Sequence, residues 1–81
     1  MKLKGCFLHQ SDLWRTPSKI YKHFMEKGYF DPCPENPNFN GLEIDWKSYN
    51  FVNPPYSQID EWLEKAYIER TKGHYSVFCF L

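Results

Sequence analysis

The stretch "NFVNPPYSQIDEW", residues 50–62, leaves the backbone little freedom. Pro54 and Pro55 have fixed φ and no N–H, so neither a helix interior nor a central strand can run through them. Asn53 precedes a proline and is pushed toward extended backbone. The apolar "NFV" therefore ends as a strand at Asn53, and a new element must begin after it. That element is "SQIDEWLEKAYIERTKG". Ile59, Trp62, Leu63, Ala66 and Tyr67 recur at helical spacing. Ser57 and Asp60 have the spacing of a capping box, with Asp in place of Glu or Gln, and Gly73 supplies a left-handed stop. The next segment, "YSVFCFL", is almost wholly apolar, as expected of a parallel strand covered on both faces. From residue 50 onward the chain reads strand, helix, strand, a unit whose crossover should be right-handed.

Upstream, "TPSKIYKHFMEKG" carries a second helix. Thr16 is placed as its N-cap and Pro17 as its first helical residue. Ile20, Tyr21, Phe24 and Met25 form its apolar face, and Gly28 its C-terminal stop. "YFD" reads as a short strand ending at Asp31, "PCPENPNFNG" as a loop, and "LEI" as another brief strand. Residues 1–13 read as an N-terminal arm or strand, and residues 14–81 as the core of a single domain. The expected class is α/β, a short and mostly parallel sheet with flanking helices. Ligands of such sheets bind beyond the carboxyl ends of the strands. Two loops leave from those ends, "DPCP" and "NPPY".

Composition narrows the function. The chain has 81 residues, room for one small domain. Ten basic and ten acidic residues cancel, so no overall positive field announces nucleic acid. Cys6, Cys33 and Cys79 are odd in number and far apart, which argues against a disulfide framework or a Cys-x-x-Cys metal site. His9, His23 and His74 have no metal-like spacing, so no metal is expected. No apolar run reaches membrane length, and the N-terminus lacks an apolar signal core. These features point to a reduced, cytoplasmic protein with no membrane partner.

The prolines also have a chemical reading. A Pro-Pro pair offers only carbonyl oxygens, and fixed φ holds them still. Asn53 adds a side-chain carbonyl, and Tyr56 a ring face on which a flat ligand can stack. Such a rigid set of acceptors suits an –NH₂ group held by both hydrogens. An amine held this way becomes more pyramidal, with its lone pair available for attack and no strong base required. The plain alternative is a strand-ending turn with Tyr56 as packing. Asp31 has its own alternative as a cap of the following turn, and Asp45 as a surface acid. Trp14, Trp46 and Trp62 read as core residues. Cys33 has no partner base and does not read as a nucleophile.

"NPPY" resembles motif IV of S-adenosylmethionine-dependent amino-methyltransferases. In order and spacing, "DLWRTP", "YFDPCPENP", "GLEIDW", "FVNPPYS", "WLEKA" and "VFCFL" resemble the phage-type DNA N6-adenine methyltransferases, the Dam-like family of phages and prophages. The likeness covers roughly residues 11–81. It implies a Rossmann-like fold, C-terminally truncated here, with S-adenosylmethionine as cofactor and host cytoplasm as location. By position it implies that Thr16 and Pro17 contact the methionine end of the cofactor. Asp31, Pro32 and Cys33 would begin the cofactor loop, with Asp31 at the ammonium group, and Asp45 would lie near the cofactor's adenine. Asn53, Pro54, Pro55 and Tyr56 would form the catalytic tetrapeptide. The Gly-x-Gly of a typical cofactor loop is absent, since Pro34 and Glu35 follow "DPC".

The expected activity is transfer of a methyl group to adenine N6 in double-stranded DNA, on an adenine flipped out of the duplex. One rival keeps the tetrapeptide and changes the substrate to protein glutamine or RNA. Another is a non-catalytic remnant that binds cofactor or a partner chain. Because the sequence ends in or just after "VFCFL", self-association or a complementing chain is expected, with inefficient methylation by the 81 residues alone.

Overall fold

In the computed structural model, residues 16–80 are described. The expected arm or strand at residues 1–13, and the placement of Trp14, lie outside them. The architecture is α/β. Helix α1 spans Ser18–Glu26, strand β1 Tyr49–Val52, helix α2 Ile59–Arg70 and strand β2 Tyr75–Phe78. Strands β1 and β2 pair in parallel, with Phe51 opposite Val77. Phe30 bridges Asn50 in parallel on the other side of β1. The Phe30 N–H donates to the Tyr49 carbonyl at 2.9 Å, and Phe51 N–H to the Phe30 carbonyl at 2.8 Å. The "YFD" strand is thus one bridging residue, and β1 lies centrally.

Alternation along β1 sends neighbouring side chains to opposite faces. Val52 packs with Trp46 and Trp62 in the core, on the face covered by α2. Phe51 points the other way and stacks on Phe24 of α1, with ring centroids 4.6 Å apart. Tyr21 meets the same ring edge-on at 6.4 Å. Helix α1 covers this face thinly, for none of its residues is buried. Tyr49, Tyr75 and Val77 remain exposed there. Strand β2 is therefore covered on one face and not on both, contrary to its uniformly apolar sequence.

Both glycine stops form as expected. Gly28 and Gly73 have φ of 86° and 88°, in the left-handed region that a side chain disfavours. After α1, Gly28 N–H donates to the Met25 carbonyl and Tyr29 N–H to the Phe24 carbonyl. Phe24 and Tyr29 then meet edge-to-face at 5.0 Å, the apolar contact of a Schellman stop. Gly73 and His74 repeat the pattern on the Arg70 and Glu69 carbonyls.

The helix starts differ from expectation. Pro17 occupies the N-cap of α1, with ψ of 138° and no side-chain cap bond, and the helix begins at Ser18. Thr16 stands one residue outside, where its hydroxyl does not cap. Ser57 lies inside a short 3₁₀ turn, Tyr56–Gln58, that feeds α2. The N-cap of α2 is Gln58, and Asp60 and Glu61 in its first turn complement the helix dipole. "LEI" is no strand. Asn40 turns the chain there, accepting Leu42 N–H on its side chain at 3.0 Å and Glu43 N–H on its carbonyl at 2.9 Å. Leu42 and Ile44 instead pack their side chains against the core.

The face of α2 is also rotated from the expected stripe. Trp62 is buried, but Leu63 and Tyr67 are exposed, and the second buried residue is Glu69. Its side chain accepts four hydrogen bonds. Oε1 takes Trp46 N–H at 3.0 Å and His74 Nδ1 at 2.6 Å. Oε2 takes Lys65 Nζ at 2.9 Å and Lys72 Nζ at 3.1 Å. An ionised carboxylate only accepts, so His74 Nδ1 carries the proton in that contact. Burial alone would raise the Glu69 pKa, but bonds from Lys65, His74, Trp46 and Lys72 outweigh it and bring the group down to about 2.

Candidate functional site

The parallel strands place the ends of Phe30 and β1 side by side. Asp31 follows the first, and Asn53-Pro54-Pro55-Tyr56 follows the second. Pro54 is buried, while Asn53, Pro55 and Tyr56 are half-buried at the rim. Pro55 is extended, with ψ of 138°, and its carbonyl accepts Gln58 N–H at 3.0 Å to start the 3₁₀ turn. The two prolines thus terminate the strand and launch the helix, as their missing N–H groups require.

Thr16 joins this end from a distant part of the chain. Asn53 Nδ2 donates to Thr16 Oγ1 at 2.9 Å. Pro17 explains the position. It keeps the residue before it out of helical backbone, so Thr16 stays at the mouth of α1 instead of winding into it.

Asp31 is half-buried. Its Oδ1 accepts Cys33 N–H at 2.9 Å, the Asx turn that the sequence left open as an alternative. The Tyr21 hydroxyl of α1 faces the same carboxylate and favours its charged form. Burial pushes the Asp31 pKa up, more than the bonds from Cys33 and Tyr21 pull it down. The Tyr21 hydroxyl is in turn raised, by burial first and then by Asp31 and Glu35. Cys33 is pushed up to about 11, by burial and then by the Asp31 charge. A thiol so weakly acidic is a poor nucleophile near neutral pH, in keeping with its sequence reading.

An open cleft of about 370 Å³ lies along these loops, lined by Pro32, Cys33, Phe39, Pro55 and Trp62 among others. The buried Trp62 indole N–H has no acceptor among the described residues. Gly41 forms part of the wall. A Cβ there would lie 1.9 Å from the Pro32 carbonyl oxygen and 2.8 Å from the Trp62 ring. Only glycine lets the loop close on "DPC", and Trp46 Nε1 fixes it by donating to the Gly41 carbonyl at 2.8 Å.

Asp45 is placed elsewhere. It is exposed and pairs with Lys72 at 2.9 Å, beyond the end of α2. The Lys72 hydrogen bond and charge lower its pKa. Lys72 also holds Glu69, beside the residues that lead into β1 and β2. Asp45 therefore belongs to the amino end of the sheet, with the length of β1, about 13 Å at 3.3 Å per residue, between it and Asn53. The expected role near the cofactor's adenine has no geometric support, because the loop turns at Asn40 and carries Asp45 past the core.

Thr16, Asp31, Pro32, Cys33 and the tetrapeptide are thus brought to one end, with Pro17 beside them, and Asp45 is not. Tyr21, Gly41 and Glu69 escaped the sequence reading. Tyr21 was hidden by its place on an apolar helix face, and Gly41 by a contact nine residues back in the chain. Among the described residues no cluster of three His, Cys, Asp or Glu side chains is arranged to hold a metal. None of the described helices is long and apolar enough to cross a membrane.

No curated protein and no solved structure matches this chain. A family model does: DNA N-6-adenine-methyltransferase (Dam) matches residues 7–81, across both site loops and every described element. The chain belongs to the Dam DNA N-6-adenine-methyltransferase family.

Proposed function

We propose that this chain carries the catalytic and cofactor-binding loops of a phage-type DNA adenine-N6 methyltransferase with a Rossmann-like core. It would use S-adenosylmethionine and act on an adenine flipped out of double-stranded DNA. The observation that carries the reading is the meeting of "NPPY", Thr16 and the Asp31 loop at the carboxyl end of a parallel sheet.

The site chemistry fits the cofactor. Asp31 is a carboxylate raised by burial, with hydrogen-bond donors but no cation among the described influences on it. An ammonium group beside it would offset that desolvation. The adjoining cleft is lined largely by prolines and aromatic side chains, suited to a flat purine. Asp31, Pro32 and Cys33 would hold the cofactor, which when bound supplies a methyl group on a sulfonium centre.

The chain's own residues prepare the other reactant. The Asn53 side-chain carbonyl and a Pro54 backbone carbonyl each take one hydrogen of the adenine amine. Holding both favours a pyramidal nitrogen with its lone pair turned away from the acceptors. Tyr56 stacks on the base and fixes its plane, a contact that contributes about 1–3 kcal/mol. Flipping is required because the amine is otherwise paired inside the duplex.

The test combines calorimetry of cofactor binding with single-turnover transfer of labelled methyl to an adenine-containing duplex. Label recovered as N6-methyladenine supports the reading. Label on glutamine in protein, or on RNA, would move the same tetrapeptide to another substrate. Failure to bind cofactor would leave the chain a non-catalytic member of the family.

A further inference from the structure

Helix α1 opens onto the site, and the contact at its mouth is not needed to cover the core. Thr16, at that mouth, accepts the Asn53 amide N–H at 2.9 Å. The helix buries none of its own residues. It lies on the sheet chiefly through the Phe24–Phe51 stack, so its polar contacts are not incidental to dense packing. Pro17, itself extended with ψ of 138°, disfavours helical backbone at Thr16, and the Gly28 stop fixes the helix length.

We infer that the mouth of α1 is a positioning element for methyl transfer, in which Thr16 orients the Asn53 amide. The inference rests on the function proposed above and assigns Thr16 a different task from a direct cofactor contact. An asparagine amide is a flat group with a donor end and an acceptor end. Anchoring the donor end on Thr16 fixes which way the carbonyl end faces, and an amine can be gripped only by the carbonyl. Losing the anchor removes one of the contacts that set the amide's otherwise soft terminal torsion.

In Thr16→Val the shape is kept and the hydroxyl lost. The single-turnover rate should fall about tenfold, the size of one hydrogen bond, with cofactor affinity unchanged. Thr16→Ser should restore the rate. Side-chain amide NMR of Asn53 gives a readout independent of catalysis. Its N–H resonances should shift and lose protection from solvent exchange in Thr16→Val, and recover in Thr16→Ser. A dispersed amide spectrum for each variant confirms that it folds.

If Thr16→Val instead weakens cofactor binding and leaves the Asn53 amide undisturbed, Thr16 is a cofactor contact and the inference fails. It fails equally if Val and Ser behave alike. A wild-type chain that transfers no methyl would sink the proposed function. The amide measurement would still decide whether Thr16 anchors Asn53.

Discussion

The two ends of the sheet are built on opposite electrostatic plans. At the amino end, Glu69 is fully buried, and its four lone-pair sites are filled by Trp46, His74, Lys65 and Lys72. That carboxylate ties together helix α2, the segment leading into β1 and the start of β2. Asn50 adds to the same lock. Its Nδ2 donates to the Lys47 and Tyr75 carbonyls at 2.8 and 2.9 Å, and its Oδ1 accepts Lys47 N–H at 3.0 Å. At the carboxyl end the acid is Asp31, whose pKa burial raises and whose described contacts are neutral donors. One end has its charge compensated internally and serves the fold. The other carries an acid and a cleft that a ligand would complete. The difference matches the view that sites for ligands are electrostatically unfinished in the free protein, at some cost in stability.

Breaking the closed end should have the largest effect. Glu69→Ala removes the anion and leaves the nearly buried Lys65 and the Trp46 N–H without their acceptor. Removing one partner of a buried charge cluster typically costs about 3–5 kcal/mol, a large share of the stability of a small domain. Denaturant unfolding measures it, and a loss below 1 kcal/mol would mean the cluster is slack. The same residue sets an acid limit. Its pKa is depressed from 4.5 to about 2 in the fold. Its contribution is therefore complete above the unfolded value and is lost as pH falls from about 4.5 through about 2. Acid unfolding in that window should be blunted in Glu69→Ala.

At the open end the corresponding break should affect chemistry and spare the fold. Under the proposed function, Asn53→Ala removes one acceptor for the adenine amine. By analogy with the loss of an oxyanion-hole donor, it should cost about 3 kcal/mol in the transition state, a rate loss above a hundredfold. Cofactor affinity and unfolding midpoint should stay close to wild type. Parental rates in the mutant would reduce "NPPY" to a turn. Asp31→Asn sharpens the contrast through its sign. Because the folded pKa is raised, ionised Asp31 opposes folding at neutral pH, and the penalty fades as pH falls through that raised value. The amide keeps an acceptor for Cys33 and Tyr21 and removes the charge. The melting temperature at pH 7 should therefore rise slightly while cofactor binding drops. A fall in both would show that the carboxylate stabilises the free fold.

Sequence foretold the open end far better than the closed one, for a physical reason. The site loops are written in residues with strong local rules. Pro54 and Pro55 end a strand whatever surrounds them, Gly28 and Gly73 take φ that other residues avoid, and an acid ending a short apolar run points to the carboxyl edge. The Glu69 cluster obeys no local rule. Lys65 at i−4 and Lys72 at i+3 look like ordinary surface pairs of an exposed helix. Only the docking of α2 on the sheet buries Glu69 and most of Lys65, along with a backbone N–H 23 residues away. Thr16 was legible as part of a helix start, but its bond to Asn53 spans 37 residues and follows from Pro17 expelling it from the helix. The rotation that buries Glu69 and exposes Tyr67 likewise comes from docking, since the apolar stripe alone favoured Tyr67.

Asp45 gives the smallest expected effect and decides which end it belongs to. Resemblance assigns it to the cofactor, whereas its described contact is an exposed pair with Lys72 at the amino end. Asp45→Asn removes the charge and keeps the shape. Exposed pairs contribute little because water and salt screen them and two long side chains must be ordered. Lys72 would also keep its bond to Glu69 at 3.1 Å. The unfolding midpoint should therefore move by no more than the error of a thermal melt, and cofactor affinity should be unchanged. Asp31→Asn, measured alongside, should lose affinity. If Asp45→Asn weakens cofactor binding as Asp31→Asn does, the acid must reach the carboxyl end in the bound protein. The loop from Asn40 to Trp46 would then have to detach from the Glu69 cluster, and the separation of the two ends would fail as a description of the working molecule.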